Sequence, residues 1–395
     1  MAKINNLIFT LFITFSTFNV YKYPMIHTLG KYGKTIIVPY VLLYILYKLY
    51  KGELKKIDSL TLSIFAFFII GSVNYIMNSF NYEGLIYSLI FIIYIIYFYY
   101  FIYEFKAQHG EDFINELFKK LKNLFLFNMI VGFVIALGVH QPLWVTNKDG
   151  LAFGGFIGVS LLFGWFSLSF FFIVYFLKQK KILDYIILGV TFIFIYLSDG
   201  RGSQMVLVSF FLFHIYFKLK FMYLKYYLYL FLKSILFIFV LLTIYYGIVG
   251  LSYGKINEIS TGRLFIWNLA VLNIFYDNIF YLGYGINSYP DYLLNKYAHI
   301  SYYFKDLRHE GGKLSLHSSY LTIITTGGIL SLVSFLLLVK KVLYKNEAYQ
   351  YSAFILSLLV GGFVEQFIMS PNIPISTLFW LLVISLLIQK KEIYG

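Results

Sequence analysis

Long apolar runs separated by short polar breaks make up almost the whole chain. A helix needs about 20 apolar residues, within a range of about 17–25, to cross the roughly 30 Å hydrocarbon core of a bilayer. Twelve runs meet this length requirement, near 5–21, 33–50, 58–78, 83–103, 121–140, 151–177, 182–198, 203–218, 226–250, 317–339, 350–369 and 374–389. The pattern predicts an all-α, polytopic helical integral membrane protein with about 12 transmembrane helices in a single membrane domain spanning 1–395.

One long polar stretch interrupts this pattern between the ninth and tenth predicted spans. It covers residues 251–316 and contains a single apolar helical run, LFIWNLAVLNIF, directly after Arg263. Chemistry that needs water and charged groups has its main place in this loop.

Composition agrees with a membrane protein. Hydrophobic residues make up 60% of the chain, charged residues only 13%, and the mean hydropathy is +0.76, whereas soluble domains are about 25% charged. The net charge of +14 could suggest nucleic acid, but the lysines cluster between apolar runs, as they do at the cytoplasmic ends of membrane helices. With no cysteine in the chain, disulfides, thiol nucleophiles and Cys-ligated metals are excluded.

The lysines also predict the orientation. They collect in alternate loops, at 48, 51, 55 and 56, at 106, 119, 120 and 122, at 178, 180 and 181, at 218, 220 and 225, at 340, 341 and 345, and at 390 and 391. The positive-inside rule puts these loops and both termini in the cytoplasm, and the loop 251–316 outside. Lys22, Lys31 and Lys34 do not fit this orientation, because they fall on the predicted outer side. Either the first span is wrongly placed, or the outer face carries additional positive charge.

Arginine has a different distribution from lysine. The chain has 29 lysines but only three arginines, Arg201, Arg263 and Arg308, and all three fall on the predicted outer face. A guanidinium group binds phosphate with a planar fork that lysine cannot reproduce. We therefore interpret the arginines as an anion site, against the alternative of chance placement.

Helix starts strengthen this interpretation. Arg201, in the sequence SDGRGS, and Arg263, after Ser-Thr-Gly, each precede an apolar helical run. A cation at a helix N-terminus opposes the helix dipole unless an anion is bound there. His317 opens the tenth predicted span, where a neutral imidazole is the expected state. The alternative for His317 is an ordinary histidine at the membrane boundary.

Several of these motifs together resemble a known family. GRGS at the head of a short span, GR…W…G.G opening a large outer loop, and HSSYL followed by Gly327 and Gly328 are similar to the O-antigen polymerase and O-antigen ligase superfamily. The specific resemblance covers roughly 198–328. The usual closing motif is His-Asn followed by an aromatic residue and Leu, so Ser318 replaces Asn here.

The resemblance implies a bacterial glycosyltransferase of the cytoplasmic (inner) membrane that needs no cofactor. Its donor and acceptor would be undecaprenyl-diphosphate-linked oligosaccharides, with Arg201 and Arg263 on the diphosphate and His317 near the acceptor hydroxyl. Arg308 is a further candidate for the diphosphate from the arginine distribution alone. A flippase and a chain-length regulator of the same pathway are the implied protein partners.

The candidate general base is His317, because an acceptor hydroxyl has to lose a proton. Glu310 and Glu365 are alternatives, and Glu365 stands out because a carboxylate inside a predicted span is costly and usually faces a cavity. Its alternative role is a structural hydrogen-bond partner between helices. Weaker candidates, equally consistent with solvated loop charge, are Glu258, Asp291 and Asp306.

No Asp-x-Asp pair, phosphate-binding loop or metal-ligating His pair is present in the sequence, so we expect a metal-independent reaction.

Alternative functions stay open at this point. A polymerase joins repeat units, whereas a ligase moves the glycan to a different acceptor, and Ser318 favours polymerase. A polysaccharide flippase or exporter also has many spans, but its spans are expected to contain cationic residues. Two smaller expectations concern packing: Gly154 and Gly158 form a GxxxG spacing suited to helix contact, and Trp267 and the tyrosines of 281–303 lie at the membrane interface.

The lysine counts generate a topological prediction. A reporter fused after Lys313 is expected to behave as external, and one fused after Lys345 as cytoplasmic. Paired alkaline phosphatase and green fluorescent protein fusions measure this directly. The reverse pattern would contradict an outer anion site.

Overall fold

A computed structural model describes residues 2–52, 82–147, 150–219, 263–276, 281, 283, 316–345, 349–368 and 373–389. Within these residues the chain is almost entirely helical. The helices are α1 (Ala2–Phe18), α2 (Pro24–Tyr50), α3 (Tyr82–His109), α4 (Phe113–Gly138), α5 (Ser160–Tyr175), α6 (Ile182–Leu197), α7 (Arg201–Lys218), α8 (Arg263–Tyr276), α9 (Ser319–Lys345), α10 (Tyr349–Val364) and α11 (Pro374–Gln389). A small antiparallel hairpin, β1 (Trp144–Asn147) and β2 (Gly150–Phe153), follows α4.

The helices have the surface of a membrane protein. Helix α5 is buried from Phe163 to Val174, and α11 is buried along almost its whole length. Helices α2 and α6, in contrast, carry many large exposed apolar side chains, a pattern that water does not favour but lipid does. By length and composition, the runs Pro24–Tyr50, Ile93–Gly138 and Ser319–Leu343 of the described chain can cross a membrane. The protein is an integral membrane protein.

Lysine side chains at one end of the bundle make specific contacts. Lys48 at the end of α2 pairs with Glu104 near the end of α3 at 2.6 Å, and Lys122 in the third turn of α4 pairs with Asp184 at the start of α6 at 2.9 Å. Lys178, just after α5, pairs with Asp112, just before α4. These three ion pairs join segments that lie next to lysine clusters in the sequence. We call this end of the bundle the lysine end.

The other end of the bundle is defined by the antiparallel pair α7 and α10. Near the lysine end, His214 of α7 contacts the ring of Tyr349, with centroids 5.3 Å apart. At the opposite end, Gly202 of α7 lies against the side chain of Glu365, which directly follows α10. The start of α7 and the end of α10 therefore lie at the end of the bundle opposite the lysine end.

Several predicted span boundaries are wrong, with the largest differences at the starts of α2, α4 and α5. Helix α2 begins at Pro24, not at 33, so Lys31 lies inside it as well as Lys34. Its first turns are polar, which concealed them from a hydropathy window, while Pro24 supplies the preset φ of a first helical residue. The predicted span at 151–177 becomes a helix only at Ser160.

The expected GxxxG contact of Gly154 and Gly158 is also wrong. Both glycines flank a 3-10 turn before α5, and Gly158 adopts a left-handed backbone with φ of 73°. A side chain on Gly154 would meet Val145 of the hairpin at 3.2 Å. Gly154 does make a close contact, but this contact joins the turn before α5 to the hairpin instead of joining two helices. Glycine allows the left-handed backbone of this turn, which an α-helix excludes.

Other predictions for the fold stay untested. The spans at 58–78 and 226–250 and most of the loop 251–316 lie outside the described residues.

The helix predicted after Arg263 is confirmed. Helix α9 breaks at the Gly327–Gly328 pair, where Gly328 has φ of 68° and ψ of −168°. Gly283 packs on this break, since a side chain on it would lie 2.5 Å from the Gly327 nitrogen.

Candidate active site

The candidate site is organised around Glu365, the first residue after α10. Its backbone nitrogen still donates to the Gly361 carbonyl at 3.0 Å, so the last helical hydrogen bond places it. The residue is only 6% exposed. The sequence placed Glu365 inside a span, whereas it lies just past the helix, at the end of the bundle opposite the lysines.

Arg263 lies beside this carboxylate. As the first residue of α8, it donates from Nη2 to Glu365 Oε1 at 2.8 Å and from Nη1 to the Val364 carbonyl at 2.7 Å. The guanidinium therefore binds both the carboxylate and a carbonyl that α10 leaves without a helical partner at its C-terminus. Among the described residues, Nε of Arg263 has no hydrogen-bond partner.

His317 approaches the same carboxylate from the other side. Its Nδ1 lies 3.9 Å from Glu365 Oε2, which is longer than a hydrogen bond. The residue precedes α9 and has φ of 47°, a left-handed backbone that is uncommon outside glycine. The preceding carbonyl, that of Leu316, accepts Nε1 of Trp267 at 2.7 Å, which helps to hold the histidine in place.

Trp267 is a correction to the sequence analysis. We expected it at the membrane interface, but it is only 8% exposed. A buried indole needs a hydrogen-bond partner, and the Leu316 carbonyl provides it. The residue therefore ties α8 to the segment that carries His317.

Ser319 connects the histidine segment to the glutamate segment. Its hydroxyl donates to the Glu365 carbonyl at 2.8 Å and accepts from the nitrogens of Phe367 at 3.2 Å and Ile368 at 3.4 Å. The side chain is fully buried. This one hydroxyl satisfies three backbone groups of the non-helical segment after α10.

Ser318 has a different role, as the residue that caps α9. Its hydroxyl accepts the Leu321 nitrogen at 3.4 Å, the contact of an N-cap side chain with the third helical residue. Serine and asparagine cap helices about equally well. The replacement of Asn by Ser318 is thus conservative at this position, which weakens its use as an argument for polymerase.

Arg201 belongs to the same end of the bundle. It is the exposed first residue of α7, and the next residue, Gly202, packs so closely that a side chain there would lie 2.7 Å from Glu365 Cγ. Close packing of Gly164 on Ser198 and Ser203 fixes the turn before α7. Gly202, the second glycine of the GRGS motif, therefore brings the backbone next to Arg201 into contact with the side chain of Glu365.

The structure brings together Arg263, His317 and Glu365 and places the backbone next to Arg201 against the last of these. The other candidates, Arg308, Glu310, Glu258, Asp291 and Asp306, lie outside the described residues. Sequence reasoning missed Ser319 and the packing role of Gly202. The serine pair after the histidine was the available signal, since serine favours helix starts.

One family comparison bears on this site. Residues 186–336 match the family described as O-antigen ligase, a range that includes Arg201, Arg263 and His317 but not Glu365. The match confirms the resemblance to the O-antigen ligase and polymerase superfamily. Among curated proteins, none matches the chain.

Ser319→Ala tests how the site is held together. Loss of the hydroxyl leaves three buried backbone groups without a partner, at a cost of about 1–3 kcal/mol for each buried group left unsatisfied. We expect a clearly lower thermal unfolding midpoint in detergent. The matched control is Ser357→Ala, because the buried Ser357 hydroxyl donates only to the Phe354 carbonyl in its own helix. Equal midpoints for the two variants would show that Ser319 does not hold these segments together.

Proposed function

Because residues 186–336 match the O-antigen ligase family, we propose that this protein is a membrane glycosyltransferase of cell-surface polysaccharide assembly. The match supports an O-antigen ligase-like or polymerase-like activity. Our specific proposal is a polymerase that joins polyprenyl-diphosphate-linked oligosaccharide repeat units, for an O-antigen, capsule or exopolysaccharide, on the outer face of the cytoplasmic membrane.

The observation that carries the proposal is the clustering of Arg263, His317 and Glu365. They come from three segments that lie far apart in the sequence and meet at the end opposite the lysines. The positive-inside rule assigns the lysine end to the cytoplasm, so the cluster would face the outside, where a flipped lipid-linked glycan is presented.

The arginines supply the proposed site for the diphosphate. One N–H of Arg263 Nη1 and one N–H of Nη2 donate to protein oxygens. A guanidinium has five N–H donors in all. Its remaining donors, together with exposed Arg201 and with Arg308 from the outer loop, would bind the diphosphate oxygens. Guanidinium charge stabilises these oxygens as the bond from the anomeric carbon to the diphosphate breaks, without a metal ion.

His317 is the proposed general base. As the bond from the anomeric carbon to the acceptor hydroxyl forms, the hydroxyl proton passes to the imidazole. At 34% exposure, its side chain is the most accessible of the three. Glu310 and Glu365 are the other candidates for this proton.

A ligase is the second candidate, because the matched family carries that description. The two activities share the donor and differ in the acceptor. Purified protein incubated with lipid-linked repeat units alone forms longer lipid-linked chains if it is a polymerase. A ligase needs an added acceptor of another kind, such as a lipid A core.

Lysine substitutions test the anion site. Arg201→Lys and Arg263→Lys are each expected to lose most polymer in cells despite keeping the charge, because the planar fork is lost. Arg263→Lys also changes the contacts that Arg263 makes with Val364 and Glu365. Arg308→Lys is expected to be milder. Polymer length and amount on gels, at matched protein levels, give the result; normal polymer from Arg201→Lys and Arg263→Lys would remove the main support for diphosphate binding.

His317→Ala separates chemistry from binding. Loss of a general base is expected to lower turnover by about 10²–10⁴-fold, while the arginines still retain the donor. Turnover and donor retention are measured on protein purified in detergent with lipid-linked repeat units extracted from cells that lack this protein. Arg263→Ala is the comparison variant that loses donor. Near-normal turnover in His317→Ala would place the base elsewhere.

A further inference from the structure

Glu365 contacts both halves of the candidate site at once. Oε1 accepts Arg263 Nη2 at 2.8 Å, and Oε2 lies 3.9 Å from His317 Nδ1. The two carboxylate oxygens thus face two different partners instead of gripping one guanidinium in bidentate fashion. A carboxylate placed between a cation and an imidazole can orient both.

The carboxylate is also rigidly placed. Its side chain is 8% exposed, its own carbonyl is held by Ser319, and the backbone of Gly202 closes one side of it. An acceptor sugar has little room to reach a group buried in this way. Its position is suited to holding other side chains and less suited to taking a proton from substrate.

We propose that Glu365 is a positioning residue that selects the tautomer of His317, an inference that rests on the proposed function. An ionised carboxylate only accepts hydrogen bonds. Facing Oε2, the neutral imidazole therefore carries its proton on Nδ1 and leaves Nε2 as the atom that takes the acceptor proton. The distance of 3.9 Å closes to a hydrogen bond with a movement of about 1 Å, as hydrogen bonds of catalytic groups often tighten only when substrate is bound.

The same carboxylate links the two functions of the site. Oε1 holds the guanidinium of Arg263 at the start of α8, while Oε2 aligns the imidazole before α9. Donor binding and proton removal are therefore kept in a fixed spatial relation by one side chain. After transfer, the carboxylate stabilises the imidazolium that has accepted the proton.

The test uses Glu365→Gln, which keeps the size and one oxygen. The amide oxygen can still accept from Arg263, which turns the amide NH₂ towards His317 Nδ1 and favours the opposite tautomer. We expect kcat to fall by about 10²–10⁴-fold, the range for loss of a general base or of its correct tautomer, with KM for the lipid-linked donor changed far less. Glu365→Asp, which keeps the charge, is expected to regain part of the turnover.

Asp184→Asn is the matched control. Asp184 is 2% exposed and pairs with Lys122 at 2.9 Å, where Lys122 is 19% exposed; Glu365 and Arg263 are 8% and 23% exposed at 2.8 Å. Both substitutions neutralise a buried carboxylate in an ion pair, but Asp184 lies at the lysine end. A loss of stability alone would affect both variants, whereas the loss of kcat is expected only for Glu365→Gln.

A second measurement does not depend on turnover. Protein labelled with ¹⁵N-histidine reports the tautomer of each ring by NMR, and His317→Gln assigns the signal of His317. We expect the Nδ1–H form in the wild type and in Asp184→Asn, and the Nε2–H form in Glu365→Gln. An unchanged tautomer in Glu365→Gln would overturn the proposal.

The two proposals can fail separately. If Arg201→Lys and His317→Ala abolish transfer while Glu365→Gln keeps normal kcat, the glycosyltransferase proposal stands and the positioning role is overturned. If the wild type transfers no sugar from lipid-linked donor, the proposed function fails. The NMR tautomers then still decide whether Glu365 orients His317.

Discussion

The ion pair between Arg263 and Glu365 is the interaction on which the candidate site depends. A carboxylate that is 8% exposed at the end of a membrane helix is costly unless a positive group and hydrogen bonds compensate it. Arg263 supplies the charge, and this requirement draws the start of α8 to the end of α10. Because Arg263 also binds the Val364 carbonyl, the same side chain satisfies the C-terminus of α10.

Small residues make this arrangement possible. Gly202 lets α7 approach the side chain of Glu365. Gly361 lets α10 approach α7, because a side chain at this position would lie 2.3 Å from Val206. In a membrane, where apolar burial contributes little to helix association, such close packing and interhelical hydrogen bonds provide much of the specificity. The serine at the start of α9 adds the hydrogen bonds that fix the segment after α10.

Two lysines and two arginines make different contacts at opposite ends of the described bundle. Lys48 and Lys122 form ion pairs with acidic partners at one end of the bundle, consistent with anchoring at the cytoplasmic surface. Arg201 and Arg263 lie at the other end, at the starts of α7 and α8. A lysine ammonium suits the first role as a point charge, whereas the planar guanidinium suits shared binding to a carboxylate, a carbonyl and an anion.

The sequence by itself determined that this is a helical membrane protein, because apolar runs of spanning length leave few other structures for a chain in lipid. It also singled out Arg263, His317 and Glu365, because charged groups stand out where most residues are apolar, and the motifs around 198–328 gave the family resemblance that the match at residues 186–336 supports. Hydropathy misplaced the starts of α2 and α5, since the polar first turns of α2 lower the average of a window although they are helical, and the glycine turn before α5 leaves the average high although it is not a helix. Only the tertiary structure decided that Glu365 lies between Arg263 and His317, that Ser319 ties their segments together, and that Trp267 is buried. These contacts join residues up to 102 positions apart, and no local pattern of residues encodes such a distance.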